Sequence, residues 1–140
     1  AEYMLYPRLL ALAERAWHKA PWELEYNKKG VKYDQNSEHF NTNLKQQRAA
    51  DWQRFAALVG FKEFAKLEQA GRFYRLPSVA AKQHSEGLDA FTLYPGIVIE
   101  YQNSLGNWLI YADENKATNV QQVRTLSQSG IRKGRSLTLK

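Results

Sequence analysis

Histidines and carboxylates are the side chains of this 140-residue sequence that could do chemistry, and few of them are spaced for it. The three histidines, His18, His39 and His84, lie far apart, and none has the spacing of a metal-ligand pair. His18 follows the last apolar residue of a predicted helix, where a histidine commonly complements the helix dipole. The sequence also contains no glycine-rich phosphate loop and no serine elbow. It therefore predicts neither a metal site nor a cofactor site.

The carboxylates do not form a predicted catalytic pair. General acid–base catalysis needs two such groups held close together. Glu14 is followed by Arg15, which favours an ion pair. Glu100 lies in the middle of a predicted strand opposite apolar neighbours, so we expect it to face solvent. Asp113 and Glu114 lie in a predicted turn, where solvation is the usual state. The sequence therefore predicts no catalytic residue.

Aromatic side chains are the remaining candidates, because a row of them could stack against sugar rings. Those with a suitable position are Trp22, Tyr26, Tyr33, Tyr94, Tyr101, Trp108 and Tyr111. In a β-sandwich, aromatic residues on adjacent strands more often pack in the core or pair across strands. Core packing is the favoured interpretation, and a carbohydrate-binding surface is the alternative.

The charge and composition exclude several classes of protein. No apolar run is long enough to span a membrane, and the absence of cysteine excludes disulfides and thiolate metal sites. The net charge of +6 raises the question of nucleic-acid binding. However, the basic residues are scattered, apart from a tail that holds Arg124, Arg132, Lys133, Arg135 and Lys140. Because Leu137 and Leu139 alternate with polar residues there, we expect a strand with a solvated face and no nucleic-acid partner.

The elements that would position these groups begin with a strongly amphipathic first helix. Tyr3, Tyr6, Leu10, Ala13 and Trp17 recur at steps of three and four, and Leu9, Leu12 and Ala16 widen the same face. Pro7 predicts that the helix proper begins there, because a first-turn proline gives up no needed N–H. A face this wide requires a large partner surface. We expect that surface to lie partly outside this chain.

Two further helices follow a polar linker of about fifteen residues. Asn41 or Thr42 offers an N-cap for a second helix that runs to about Val59, and Gly60 suits the position just after it. A short third helix is predicted from Lys62 to Ala70, ended by Gly71.

From residue 72 the pattern changes to period-two alternation with glycine and proline turns. Strands are predicted near 72–76, 79–84, 88–93, 97–102, 107–111, 119–126 and 135–139. The clearest hairpin joins Ile97–Tyr101 to Trp108–Tyr111 across the turn Asn103–Asn107. A second pairs Val120–Leu126 with the last strand across Ser127–Gly130. Seven short strands at this spacing predict an antiparallel sandwich.

Several stretches together resemble a known family. The segment Glu2–Trp17, followed by Trp22 and Glu23, is similar to the closing segment of the catalytic barrel in bacterial family-20 glycoside hydrolases. These are the β-N-acetylhexosaminidases, chitobiases among them. The similarity continues through Asp51–Phe55, Leu67, Tyr74–Pro77, Pro95–Gly96, Ile99–Tyr101, Trp108, Tyr111 and Val123–Arg124. It departs from the family in the turn Asn103–Asn107, which replaces the usual Asp-Gly-Gly type.

The resemblance implies a fold. Residues 1–71 would be the last helix of a (β/α)8 barrel with a linker and two further helices, and residues 72–140 an immunoglobulin-like C-terminal domain. The class is therefore α+β.

The resemblance also implies an activity for the parent protein. Family-20 enzymes remove terminal N-acetylhexosamine with retention, using the substrate's own acetamido group in place of a protein nucleophile. The catalytic Asp, Glu and tryptophans of the family precede the segment matched by Glu2–Trp17, so this chain alone is expected to be inactive. Arg8, Glu14 and Trp17 would anchor the helix on the barrel.

The implied partners are that barrel and the chitooligosaccharide substrate of the parent enzyme. Self-association through the first helix is a further possibility. The implied location is periplasmic or secreted, with or without an outer-membrane anchor.

Overall fold

The computed structural model describes residues 2–23, 41–112 and 117–139. Several residues considered above lie outside these ranges: Tyr26, Tyr33, His39, Asp113, Glu114, Lys140 and most of the predicted linker.

The first amphipathic segment forms two helices instead of one. Helix α1 spans Glu2–Leu5 and helix α2 spans Arg8–Trp17, with Tyr6 and Pro7 between them. The predicted start at Pro7 is wrong by one residue, because Pro7 occupies the cap position just before α2. The short α1 preceding it was not predicted.

The second helix begins at the predicted residue, but the helical backbone does not end at the predicted residue. Helix α3 spans Thr42–Leu58, and the side chain of its N-cap Asn41 accepts a hydrogen bond of 3.0 Å from the Leu44 N–H. The chain then continues through a π-helical turn, Val59–Glu63, into helix α4, Phe64–Gln69. The predicted helix end at Gly60 is therefore wrong.

Close packing explains why a glycine stands at position 60. Gly60 is buried, and a Cβ atom there would overlap the carbonyl oxygen of Pro95. The glycine permits the helix to approach the 93–96 loop, and it does not terminate the helix. The terminating glycine is Gly71, which follows α4 with φ +64° as predicted.

Six strands form two antiparallel sheets in the described residues. They are β1 Ala80–His84, β2 Gly87–Phe91, β3 Val98–Gln102, β4 Trp108–Ile110, β5 Gln122–Leu126 and β6 Leu137–Thr138. Strands β1 and β2 form one sheet, and the other has the order β4-β3-β5-β6. Both predicted hairpins are confirmed: β3 pairs with β4, and β5 pairs with β6.

The hairpin turn that departs from the family pattern is organised by Asn103. Its side-chain oxygen accepts hydrogen bonds of 3.0 Å from the N–H groups of Leu105 and Asn107. Gly106 supplies a positive φ of +84°. The Asn103 side chain thus stabilises by hydrogen bonding a turn for which the family pattern uses glycines.

The predicted strand at 72–76 is wrong. Tyr74 and Leu76 are buried in alternation, which produced the period-two pattern, but the segment joins neither sheet. Its backbone bonds instead to the N-terminal helices, since the Arg75 N–H donates to the Tyr6 carbonyl at 3.1 Å. The period-two alternation therefore predicted the buried side chains correctly, but it predicted strand pairing incorrectly.

Two hydrophobic cores stabilise the chain. The sheet core is formed by Val79, Leu88, Ile99, Ala117, Val120 and Val123, contributed by both sheets and by adjoining loops. The helical core is formed by Val59, Phe64, Tyr74 and Leu76, and the rings of Phe64 and Tyr74 stack at 4.8 Å. Because Tyr74 and Leu76 join α4 in this core, residues on both sides of position 72 share it. The division into 1–71 and 72–140 stays a prediction.

The mixture of helices with antiparallel sheets agrees with the predicted α+β class. Among the described residues, no helix has both the length and the apolar character that a membrane span requires.

Candidate functional site

The most prominent surface feature is an apolar face presented by α1 and α2. Neither helix contains a buried residue. Six large apolar side chains on them are between 41% and 91% exposed: Tyr3, Met4, Leu5, Leu9, Leu12 and Trp17. We call these six residues the N-terminal apolar face. So many exposed large apolar side chains within seventeen residues indicate an interaction site.

Three other residues of this segment attach it to the rest of the chain. Tyr6 and Leu10 pack against the helical core. The Glu2 carboxylate binds the Arg72 guanidinium at 2.8 Å and accepts a weaker bond of 3.4 Å from the Phe73 N–H. These two donors lower the pKa of Glu2. The helices are thus held through Glu2, Tyr6 and Leu10, while the six residues of the N-terminal apolar face stay exposed.

A buried carboxylate on α3 fixes the chain that follows α2. Asp51 accepts hydrogen bonds from the Trp22 indole at 3.0 Å and from Arg15 at 3.3 Å, and its other oxygen lies 3.2 Å from His18 Nε2. We call Asp51, Arg15, His18 and Trp22 the Asp51 node. Burial alone would raise the pKa of Asp51, but the Trp22 hydrogen bond and the His18 and Arg15 charges lower it overall. The node joins the end of α2 to α3.

Two members of the node, His18 and Asp51, belong with Glu14 to the one metal-like grouping found among the described residues. Potential ligand atoms of Glu14, His18 and Asp51 lie within 4.8 Å of one another. Sequence spacing could not reveal this group, because Asp51 comes from a different helix. Arg15 lies 3.9 Å from Glu14 and 3.3 Å from Asp51, which confirms the predicted Glu14–Arg15 ion pair. Arg15 also binds Glu23 at 2.9 Å, so the arrangement acts as an ion-pair network, and a further cation placed here would be repelled by the Arg15 guanidinium.

Glu100 does not face solvent as predicted. It is only 8% exposed and is bonded to Arg124, which stands directly opposite it on β5. The Arg124 guanidinium lies 3.7 Å from the centre of the Trp108 ring. The prediction was wrong because the partner lies on a strand distant in sequence, and because Arg124 and Trp108 together cover the outer face of the sheet here.

The other predicted aromatic candidates are distributed over several sites. Tyr101 and Tyr111 pack against the sheet core, as the favoured interpretation predicted, and the Tyr111 hydroxyl donates to the Leu88 carbonyl at 3.0 Å. Tyr94 packs against the helical core. Trp22 belongs to the Asp51 node, and Trp108 lies on the outer face of the four-stranded sheet. The structure therefore does not gather these residues into one aromatic surface.

Two cations of the basic tail are engaged within the chain. Arg124 binds Glu100. Arg132 donates to the Arg72 carbonyl at 2.9 Å and lies over the rings of Phe73 and Tyr74. Their internal contacts reduce what this tail can offer to a polyanion.

Comparison with known proteins decides the family. A sequence model described as the Chitobiase/beta-hexosaminidase C-terminal domain matches residues 63–136. The chain belongs to this family. It is 41% identical over 141 residues to the N,N'-diacetylchitobiase of Vibrio harveyi and 40% identical over 144 residues to a beta-hexosaminidase of Vibrio vulnificus. A 60-residue stretch is 65% identical to beta-hexosaminidase B of Pseudoalteromonas piscicida.

These similarities cover nearly all of this chain and a small part of each relative. The alignments span 99% and 97% of the chain for the two Vibrio proteins, but only 16% and 17% of those proteins. The Pseudoalteromonas match spans 43% of the chain and 8% of that protein. The chain is thus about a sixth of the length of the Vibrio hexosaminidases.

The family match and the candidate sites occupy different parts of the chain. Residues 63–136 contain α4 and strands β1 to β5. The N-terminal apolar face and the Asp51 node precede that range and are covered by the longer alignments to the Vibrio proteins. The helical period predicted four members of this face, Tyr3, Leu9, Leu12 and Trp17. It also included Tyr6 and Leu10, which pack against the helical core, and it did not include Met4 and Leu5. The Asp51 node was not predicted. The available signal in the sequence was a lone aspartate among apolar residues in α3.

Proposed function

We propose that this chain is a non-catalytic C-terminal part of a β-N-acetylhexosaminidase and that its N-terminal apolar face docks on the catalytic part. The observation that carries the proposal is that face, with six large apolar side chains exposed while Tyr6 and Leu10 pack against the helical core. Family membership and the names of the relatives support the enzyme class. The much greater length of those relatives provides room for a catalytic part.

In this proposal α2 is the last helix of a (β/α)8 barrel, and the strands form an immunoglobulin-like domain beside it. Residues 1–71 and 72–140 are the two units. Barrel helices bury their inner side against the strands of the barrel. Leu9 and Leu12 would then lie on the barrel, with Trp17 anchoring the end of the helix on it, while Tyr6 and Leu10 remain against the helical core. Arg8 and Glu14 flank that contact.

The proposed reaction of the complete enzyme is removal of terminal N-acetylhexosamine from chitooligosaccharides, assisted by the substrate's acetamido group. The acid, the base and the sugar-binding tryptophans belong to the catalytic part. Active sites of such barrels are built from loops at the carboxyl ends of the strands. This chain contributes stability, and the enzyme acts in the periplasm or outside the cell.

The apolar face can supply enough free energy for such docking. Burial of one leucine side chain contributes about 1.5–3 kcal/mol. Leu9 and Leu12 are already partly buried, at 41% and 66% exposed, so covering the remainder of both would contribute about 1.5–3 kcal/mol in all, and a charge introduced at either position would have to be desolvated on docking.

A chimera tests the proposal. The segment of the Vibrio harveyi chitobiase that matches this chain is replaced by the chain, and hydrolysis of a nitrophenyl N-acetylglucosaminide is followed after heating. We expect the chimera to be active, and Leu9→Glu with Leu12→Glu to shorten its half-life at elevated temperature at least tenfold. The matched control is Ile131→Glu, since Ile131 is 80% exposed between β5 and β6 and does not belong to the face.

Equal half-lives for the chimera with and without the two glutamates would contradict docking through this face. Turnover of the same substrate by the isolated 140-residue chain would contradict the assignment of catalysis to the other part.

A further inference from the structure

A row of four side chains crosses the outer face of the four-stranded sheet. Trp108 on β4 stands opposite Gln102 on β3, Gln102 opposite Gln122 on β5, and Gln122 opposite Thr138 on β6. Side chains of directly opposed residues project on the same side of an antiparallel sheet. We call these four residues the cross-strand row. Three strand spacings of about 4.8 Å make it about 14 Å long.

The aromatic end of the row is held in place. The Arg124 guanidinium lies 3.7 Å from the centre of the Trp108 ring, and Arg124 is bonded to the buried Glu100. The contact places Arg124 and Trp108 on the same face. A cation–π contact anchored by a buried ion pair limits the rotation of the indole, so little conformational entropy remains to be lost on binding.

The row is uncharged within a chain of net charge +6. Its members offer an indole, two primary amides and a hydroxyl, and the neighbouring charges of Glu100 and Arg124 neutralise each other. The Gln102 amide donates to the Gly106 carbonyl at 2.9 Å, which orients it. Such a surface has no excess charge for an anion, but it has donors and acceptors for hydroxyl and acetamido groups.

A groove overlaps the row at Gln122 and Thr138 and extends it towards Ser104 and Asn119. It has a volume of 640 Å³, and its lining includes Ser104, Asn119, Gln122 and Thr138. A second pocket of 280 Å³ also contains Asn119 in its lining. Amides and hydroxyls therefore continue from the row into the groove. An elongated neutral ligand could lie along the row and the groove together.

We infer that the cross-strand row binds a linear oligosaccharide of N-acetylated amino sugars. The indole of Trp108 packs on the apolar face of one pyranose ring, and the amides of Gln102 and Gln122 bond to acetamido and hydroxyl groups of the following rings. The identity of the sugar rests on the proposed function, whereas the existence of the cross-strand row does not. This ligand site is separate from the N-terminal apolar face, so docking and sugar binding can fail independently.

The test is a titration of the isolated chain with N-acetylated chitotetraose, followed by two-dimensional NMR of the indole and side-chain amide groups. We expect saturable shifts at Trp108, Gln102 and Gln122. Gln102→Ala with Gln122→Ala should weaken binding at least tenfold, and so should Trp108→Ala. Because Trp108→Ala also removes the cover of Arg124, the amide variant and a thermal unfolding curve for each protein separate lost binding from lost folding.

Matched controls lie outside the sheet. Gln53→Ala removes an exposed amide of α3, and Trp52→Ala removes a tryptophan that is 44% exposed. Neither should change the affinity. Absence of saturable shifts in the row, or unchanged affinity in the folded amide variant, would overturn the inference. Equal binding of cellotetraose, which lacks acetamido groups, would overturn the assignment to N-acetylated sugars.

Discussion

The Trp22 indole donates a hydrogen bond of 3.0 Å to the Asp51 carboxylate, across 29 residues of sequence. Asp51 is 8% exposed, so it needs such donors to remain ionised inside the protein. Trp22 and Arg15 come from the end of the segment that carries the N-terminal apolar face. This one carboxylate therefore sets how that segment lies on α3.

Replacement of Asp51 by alanine should destabilise the protein by about 1–3 kcal/mol, because buried donors lose their acceptor. Chemical unfolding of the isolated chain measures this change in the free energy of unfolding. Gln53→Ala, on an exposed position of the same helix, should change it by less than about 0.5 kcal/mol. A cost for Asp51→Ala as small as that of the control would show that the node does not stabilise the fold.

The stability that Asp51 provides should depend on pH in a defined direction. Its folded-state pKa is lowered from 3.8, so the contribution is fully present above that value and is lost as the pH falls through the folded pKa. The difference in unfolding free energy between wild type and Asp51→Asn should thus be largest near neutral pH and shrink below pH 3.8. A difference that grows on acidification would contradict the ion-pair account.

Gly60 should tolerate no side chain. A Cβ at this position meets the Pro95 carbonyl, which is backbone and cannot move aside as a side chain could. Gly60→Ala should therefore cost about 3 kcal/mol or more, at the upper end of overpacking effects. Gly71→Ala is the comparison variant, since a Cβ there meets nothing within 4 Å. Its cost in unfolding free energy comes from the positive φ alone and is about 1–2 kcal/mol. Similar thermal unfolding midpoints for the two variants would contradict the close approach at Pro95.

Glu100 and Arg124 should be energetically coupled. Removal of either partner leaves the other charge buried, which typically costs 3–5 kcal/mol, or about half that at a partly open site. In a double-mutant cycle with Glu100→Gln and Arg124→Met, the double variant should be more stable than the sum of the single effects by at least about 1 kcal/mol. Additive effects within about 0.5 kcal/mol would show that the pair does not interact.

The sequence predicts the local elements of this fold well and the contacts between distant elements poorly. The Asn41 cap, the Gly71 helix end and both hairpins are signalled by residues next to one another. Gly60 was assigned to a helix end because the carbonyl that requires a glycine lies 35 residues later.

The same limit applies to the candidate sites. The period of Leu9 and Leu12 made the apolar face visible in the sequence. The Asp51 node and the Glu100–Arg124 pair each join residues from different elements, and a single sequence does not show which elements meet. The error over residues 72–76 has a related cause, since alternation reports which side chains are buried and not which backbone groups pair.

The exposure of Trp17 provides the most direct test of docking through the N-terminal apolar face. Trp17 is 91% exposed in this chain, and docking on a catalytic part would cover it. Hydroxyl-radical labelling with mass spectrometry can compare its oxidation in the isolated chain and in the active Vibrio harveyi chimera. We expect at least tenfold slower oxidation of Trp17 in the chimera, with Ile131 labelled equally in both proteins. Equal oxidation of Trp17 in an active chimera would contradict docking through the N-terminal apolar face.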